Sequence, residues 1–235
     1  MTIRIVTDSA CDLPQYLVDQ YKISIVPLSV RFGEHEFIDR QDLTTEQFWK
    51  RCDSSPVLPE TAAPSPGQFE AEFRKLAAEG ATGIVMISLS GILSATMQSA
   101  ELAAKAVAGH ISVRVVDSRS GSMGQGITVI ACAKLAATGA SLDEVAAVGD
   151  NLAHRSKVWG ALDTLENLKK GGRIGGAKAM LASALSIKPI IEVVDGKIEE
   201  GGKQRTRSKA LAFLIEKVRD AGPIENLAVL QANCN

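Results

Sequence analysis

Short runs rich in Ile and Val recur at residues 3–7, 23–30, 83–88 and 111–117, and between them lie longer stretches with apolar residues at helical spacing. Continuous β-branched runs mark strands covered on both faces, whereas strict alternation marks strands with one wet face. The clearest helix start is Ser65, an N-cap with Pro66 at the first helical position and Gln68 closing a capping box. Phe69, Phe73, Leu76 and Ala77 then form an apolar stripe that Gly80 stops. Further helices are predicted over 94–109 and 124–139, and Ser141 with Glu144 opens another by the same capping logic. Strands alternating with helices predict a parallel sheet covered by helices, an α/β/α arrangement.

The pattern changes near Arg155. Residues 157–162 and 189–194 read as strands, and Asp195-Gly196 between Val194 and Lys197 is a two-residue hairpin signal. A second sheet, partly antiparallel, is therefore expected, followed by a helix over 207–221 and one more strand over 226–231. The chain is predicted to be α/β with two domains, a parallel-sheet domain over 1–155 and a smaller α+β domain over 156–235 that looks cut short at its C-terminus.

Composition narrows the classes. With 235 residues, 46% hydrophobic and 23% charged, the chain can bury a core without staples. A net charge of -1, from 26 basic and 27 acidic residues, offers no field for polyanions, so nucleic acid is not an expected partner. Cys11, Cys52, Cys132 and Cys234 are far apart and no histidine stands at ligand spacing, so they read as reduced thiols and no metal site is expected. The N-terminal run does not fit a signal peptide and no apolar run is long enough to span a membrane, so a cytoplasmic protein is expected.

In open α/β sheets ligands gather beyond the carboxyl ends of the strands. There the chain carries Thr7-Asp8-Ser9, then Ser88-Leu89-Ser90-Gly91, then Asp117-Ser118-Arg119-Ser120, and the long connection before the Ser65 helix adds Thr61. Any one of these residues reads most simply as a helix cap. Three hydroxyl-rich strand ends beside helix N-termini point together to a site for a carboxylate or phosphate. Neither a nucleophile elbow nor a dinucleotide or Walker motif occurs, and His35, His110 and His154 stand apart from the serines. A serine-dependent acyl hydrolase or transferase using Ser90, Ser94 or Ser118 is the enzymatic alternative, without a positioned base. Two basic loops, Lys169-Lys170-Gly171-Gly172-Arg173-Ile174-Gly175-Gly176 and Lys203 to Lys209, read as solvated surface or as contacts for a phosphate-bearing partner or an anionic membrane.

Seven of these stretches, in this order, resemble the DegV family of bacterial fatty-acid-binding proteins, the acyl-carrier subunits of fatty acid kinase: Thr7-Asp8-Ser9 with Asp12-Leu13-Pro14; 61–69; 87–96; Val116-Asp117-Ser118 with Gly124-Gln125-Gly126; 168–174; Lys188-Pro189-Ile190-Ile191; and Arg205-Thr206-Arg207. The resemblance implies a non-catalytic, two-domain protein that holds a long-chain fatty acid between its domains and needs no cofactor. It implies head-group contacts from Thr61 and Ser94, with Ser90, Thr96 and Ser118 close by. It also implies an ATP-dependent kinase subunit that phosphorylates the presented carboxylate for phospholipid synthesis, with Arg173 and Arg205 meeting that kinase or, transiently, the membrane. The chain departs from the family pattern at Ala62, Gly91, Ala95 and Met97, and the longer family members end in a His-Thr-Gly-type segment that has no counterpart here.

Overall fold

The computed structural model describes residues 2–232, and of residues 183–186 the backbone only. Cys234 lies outside the described residues, while Cys11, Cys52 and Cys132 are free thiols. By contacts the chain divides into one unit up to Ser156 and another over Lys157–Gln231.

The first unit contains β1 (Ile3–Asp8), α1 (Gln15–Gln20), β2 (Ser24–Val26), β3 (Ser29–Phe32), β4 (His35–Ile38), α2 (Thr45–Ser54) and β5 (Glu60–Ala62). It continues with α3 (Pro66–Ala78), β6 (Gly83–Ser88), α4 (Thr96–Val107), β7 (Val113–Asp117), α5 (Ser122–Ala137) and α6 (Leu142–Arg155). Its main sheet has the order β2-β1-β6-β7, and every pairing is parallel. The side-chain period of two splits each central strand between two cores. Ile3, Ile5, Val85 and Ile87 pack with Val129, Cys132 and Ala133 of α5 and Val145 of α6. Val6, Ile84 and Met86 pack on the opposite face with Phe69, Phe73 and Leu76 of α3 and Ala100 and Ala103 of α4. The stripe read at Ser65 thus faces the sheet, and the Ser65 and Ser141 capping boxes both form.

The single strand expected over 23–30 is instead two. Pro27 has no N–H to donate to a ladder, and the chain leaves the parallel sheet there. Beyond it β3 pairs antiparallel with β4 and with β5, in a small sheet that sequence periodicity did not indicate. Val30, Phe32 and Leu43 form its core, with Phe37 and Phe48 packed against them. Half of the scarce aromatics, Phe32, Phe37, Phe48, Phe69 and Phe73, are therefore structural residues of this small core and of α3.

The second unit holds β8 (Val158–Ala161), α7 (Glu166–Lys170), a 3-10 segment (Gly175–Ser186), β9 (Lys188–Val194), β10 (Lys197–Gln204) and α8 (Arg207–Asp220). Its sheet, β10-β9-β8, is antiparallel throughout. Asp195 and Gly196 turn the β9–β10 hairpin with φ of 50° and 80°, as a two-residue turn of the primed type requires. The strand expected over 226–231 does not form: no described strand pairs it, and Leu227, Val229 and Leu230 are exposed. An apolar run becomes a strand only where a neighbouring edge takes up its N–H and C=O groups.

Candidate functional site

The buried polar residues of the first unit gather at the carboxyl ends of β1, β6 and β7. Thr7, Asp8, Ser9, Ser88, Ser90, Ser118, Ser120 and Gln125 are all buried. Buried polar groups must find partners, and here the partners come from neighbouring strand ends. Thr7 donates its hydroxyl to the Ile87 carbonyl at 2.8 Å. Ser9 Oγ accepts the Leu28 N–H at 3.1 Å, anchoring the chain just past Pro27.

Asp8 occupies the centre. Its Oδ2 accepts the Leu89 N–H at 2.8 Å and the Gln125 side-chain amide at 3.1 Å, while Oδ1 accepts the Ala10 N–H at 3.0 Å. Burial disfavours the carboxylate and pushes its pKa up from 3.8 to about 6, although the three N–H donors pull the other way. Gln125 also donates to Thr7 Oγ1 at 2.9 Å, and its own Oε1 is buried without a hydrogen-bond partner. Gln125 reaches this position because α5 lies close to the turn after β1. A Cβ on Gly126 would stand 2.6 Å from the Cys11 carbonyl oxygen, so only glycine permits the approach.

The loop from β6 to α4 carries most of the residues singled out in sequence. Ser90 Oγ accepts the Ile92 N–H at 3.2 Å, and its carbonyl accepts the N–H groups of Leu93 and Ser94 at 3.0 and 3.1 Å. Ser94 follows, half-buried, with its Oγ 2.9 Å from Thr96 Oγ1. Thr96 is buried and opens α4, whose N-cap position, Ala95, supplies no side-chain cap. A twelve-residue helix thus presents its positive end beside a serine hydroxyl.

The remaining expected residues fall differently. Ser118 is buried, and its hydroxyl donates to the Ser120 carbonyl and accepts the Ser120 N–H, each at 3.2 Å, closing its own turn. Thr61 sits on β5 opposite Val30 with its side chain exposed, and no described hydrogen bond joins it to the strand-end cluster. Ser90, Ser94, Thr96 and Ser118 therefore share one sheet edge, and Thr61 belongs to the small sheet.

The two arginines lie in the second unit. Arg173 is half-buried and donates to the Gly171 carbonyl at 2.9 Å, and Arg205 is exposed between β10 and α8. The loop around Arg173 is not a free tether. A side chain at Gly175 would collide with the Ile198 carbonyl, and one at Gly176 with the Glu199 carboxylate, so both glycines allow close packing on β10.

His35 on β4, His110 after α4 and His154 on α6 are all exposed. A shallow groove of about 400 Å³, bordered by Ala108, Ile111, Arg114 and Asp143, opens at the N-terminal end of β7, the end away from the hydroxyl cluster. No described helix is long and apolar enough to cross a membrane, and no described cluster of side chains could hold a metal ion.

Taken together these features define an α/β protein with, among the described residues, a four-stranded parallel sheet and two three-stranded antiparallel ones, and with a strand-end edge of buried hydroxyls beside a helix N-terminus. The chain belongs to the DegV family, whose pattern, described as an uncharacterised protein family, it matches over residues 2–235. It is 37% identical over 219 residues to a DegV domain-containing protein of Mycobacterium tuberculosis, covering 93% of this chain and 75% of that one. A fatty-acid-binding DegV family protein from Thermus thermophilus superposes with a TM-score of 0.87 at 36% identity, over 94% of this chain and 78% of that one. A stearic-acid-binding protein from Eubacterium ventriosum gives 0.86 at 28% identity, over 93% and 76% of the two chains. DegV of Bacillus subtilis, described as a fatty acid binding protein, gives 0.85 at 28% identity, over 94% and 78%. Asp8, Asp117 and Gln125, which hold the strand-end loops, stand in stretches that the sequence singles out but are not among the contact residues expected from it.

Proposed function

We propose that the protein binds a long-chain fatty acid by its carboxylate and presents it to a separate ATP-dependent fatty acid kinase subunit. The observation that carries the reading is the half-buried Ser94 hydroxyl at the start of α4, where it accepts the Thr96 N–H at 3.3 Å and the N-cap residue Ala95 supplies no side-chain cap, in a chain 36% identical to a fatty-acid-binding relative. Ser94 donates to the carboxylate, the helix end supplies positive potential, and Thr96 fixes the rotamer of Ser94 through the 2.9 Å hydroxyl contact. Thr61, exposed on β5, is the second head-group donor in this reading. The tail contributes through burial at about 0.8 kcal/mol per methylene, so an aliphatic lining suffices and only the head group needs placed polar atoms.

Phosphoryl transfer belongs to the kinase in this scheme, so the carrier requires neither cofactor nor catalytic base. Arg173 and Arg205 are the contacts for that kinase or, transiently, for an anionic membrane surface, and the protein works in the cytoplasm. The alternative of a serine acyl hydrolase has less support, because the hydroxyl cluster has Asp8 and Gln125 as its buried polar partners and the described histidines are exposed. Denaturing extraction of protein purified from bacteria, followed by mass spectrometry, is expected to release a C14 to C18 acid in near-stoichiometric amount. Protein that is always empty and ignores added palmitate contradicts the proposal.

A further inference from the structure

Three consecutive backbone amides at the start of the β6–α4 loop are held by the two flanking strand ends, one by that of β1 and two by that of β7. Leu89 N–H donates to Asp8 Oδ2 at 2.8 Å, Ser90 N–H to the Ser120 carbonyl at 2.7 Å, and Gly91 N–H to Asp117 Oδ1 at 3.3 Å. Asp8 ends β1, Asp117 ends β7, and the loop leaves β6 between them. The second oxygen of Asp8 is occupied as well, since Oδ1 caps the turn after β1, and the missing side chain at Gly91 leaves room beside Asp117, whose Oδ2 a Cβ there would approach to 3.3 Å. Asp117 Oδ1 also accepts the Arg119 N–H at 2.8 Å.

This arrangement has two consequences. Amides that in a glycine-rich loop would face an anion are taken by two carboxylates and a carbonyl, so the anion-facing groups begin later, at Ser94 and the first turn of α4. The clamped residues also set that later position directly, because the Ser90 carbonyl accepts the Ser94 N–H.

We infer that Asp8 and Asp117 are positioning residues for acid binding: they fix Leu89 and Gly91 from both sides and thereby place the Ser94 hydroxyl and the start of α4. The inference rests on the carrier function proposed above and assigns it two residues that touch no ligand. Of the two, Asp8 gives the arrangement a pH dependence. The groups hydrogen-bonded to its carboxylate are the Leu89 amide from the β6–α4 loop, the Gln125 amide from α5 and the Ala10 amide from the following turn, and the nearest titratable group is the Cys11 thiol, whose pKa the Asp8 charge raises. Burial pushes Cys11 up to about 11, so it stays neutral throughout. Protonating Asp8 turns one acceptor oxygen into a donor and weakens at least one of three hydrogen bonds, which loosens the loop as pH falls through about 6.

The test measures palmitate affinity from pH 5.5 to 7.5 in the wild-type chain, Asp8→Asn and Asp117→Asn, and amide hydrogen exchange of residues 89–91 without ligand. Comparing variants at one pH cancels the titration of palmitate itself. Asp8→Asn is expected to bind about five- to tenfold more weakly at pH 7.5, the effect of one lost hydrogen bond, and to lack the extra loss that the wild type shows below pH 6. Asp117→Asn is expected to bind more weakly at every pH while keeping the wild-type step, and it carries the test alone if Asp8→Asn does not fold. Without ligand, Leu89 should exchange faster in Asp8→Asn and Gly91 faster in Asp117→Asn. Wild-type affinity and pH profile in the folded variants overturn the inference. If the wild type binds no palmitate but the amides behave as stated, the carrier function fails and the clamp stands.

Discussion

Thr7, Asp8 and Ser9 use all three side chains to tie β1 to its neighbours, through Ile87, Leu89 and Leu28 in turn. In sequence such residues read as caps or ligand groups; what separates these roles is whether the hydroxyl or carboxylate is already engaged, which depends on residues such as Gln125, far along the chain. Ser94 is legible as a helix start and Thr96 enters only through the family resemblance, whereas the turn that the Ser118 hydroxyl closes on Ser120 is not legible. At this scale Ser94→Ala is expected to weaken palmitate binding by roughly 1 to 3 kcal/mol, since a buried carboxylate oxygen loses its donor, and isothermal titration reads it directly. Asp8 carries a second expectation. Its pKa in the fold, about 6, lies above its ordinary 3.8, so the native state holds the proton more tightly than the unfolded one. The resulting stabilisation is fully present below pH 3.8 and is lost as pH rises through about 6; it amounts to roughly 3 kcal/mol at 1.36 kcal/mol per unit. Denaturant unfolding of wild type and Asp8→Asn across pH 4 to 7 should diverge by that order, and parallel curves would show that Asp8 does not titrate in this way. The fold gives up stability at neutral pH to keep an ionised acceptor where three N–H groups meet.

At the scale of elements, hydrophobic period and caps located the four strands of the parallel sheet and helices α3 to α6, because each has a buried face written into its sequence. The misses have local causes. Pro27 ends a strand that the apolar run alone would continue, and α2 turns only the half-buried Phe48 and Cys52 to the small core, too short a stripe to stand out, although Thr44 and Gln47 form its capping box. The run over 226–231 has strand composition but no described partner. The contact of α5 with the turn after β1 depends on one missing side chain. Gly126→Ala is expected to destabilise the fold by roughly 1 to 3 kcal/mol through the clash with the Cys11 carbonyl, and to lower acid affinity by shifting Gln125 away from Asp8. Thermal unfolding and titration of the same variant check both effects, and unchanged stability would mean that the helix can move aside freely.

For the whole molecule, the composition already excluded disorder and gave no overall positive field, and the alternation of strands and helices gave the α/β class with its change to an antiparallel sheet. The functional reading needed the order of motifs along the chain. Arg205, exposed beside α8, has its expectation at this scale: if the proposed kinase subunit meets it, Arg205→Ala should bind palmitate as the wild type does yet be phosphorylated more slowly when loaded. A variant that loses acid binding while loaded protein turns over normally would contradict the role of Arg205. The central claim is that a carboxylate head group, and not merely an alkyl chain, is recognised. Equilibrium binding of palmitate and of hexadecanol to the same protein, at equal chain length, tests this most directly. The account predicts that palmitate binds at least about tenfold more tightly, from charge-assisted donors and the helix end. Equal affinity for the two, or no binding of either, would contradict it.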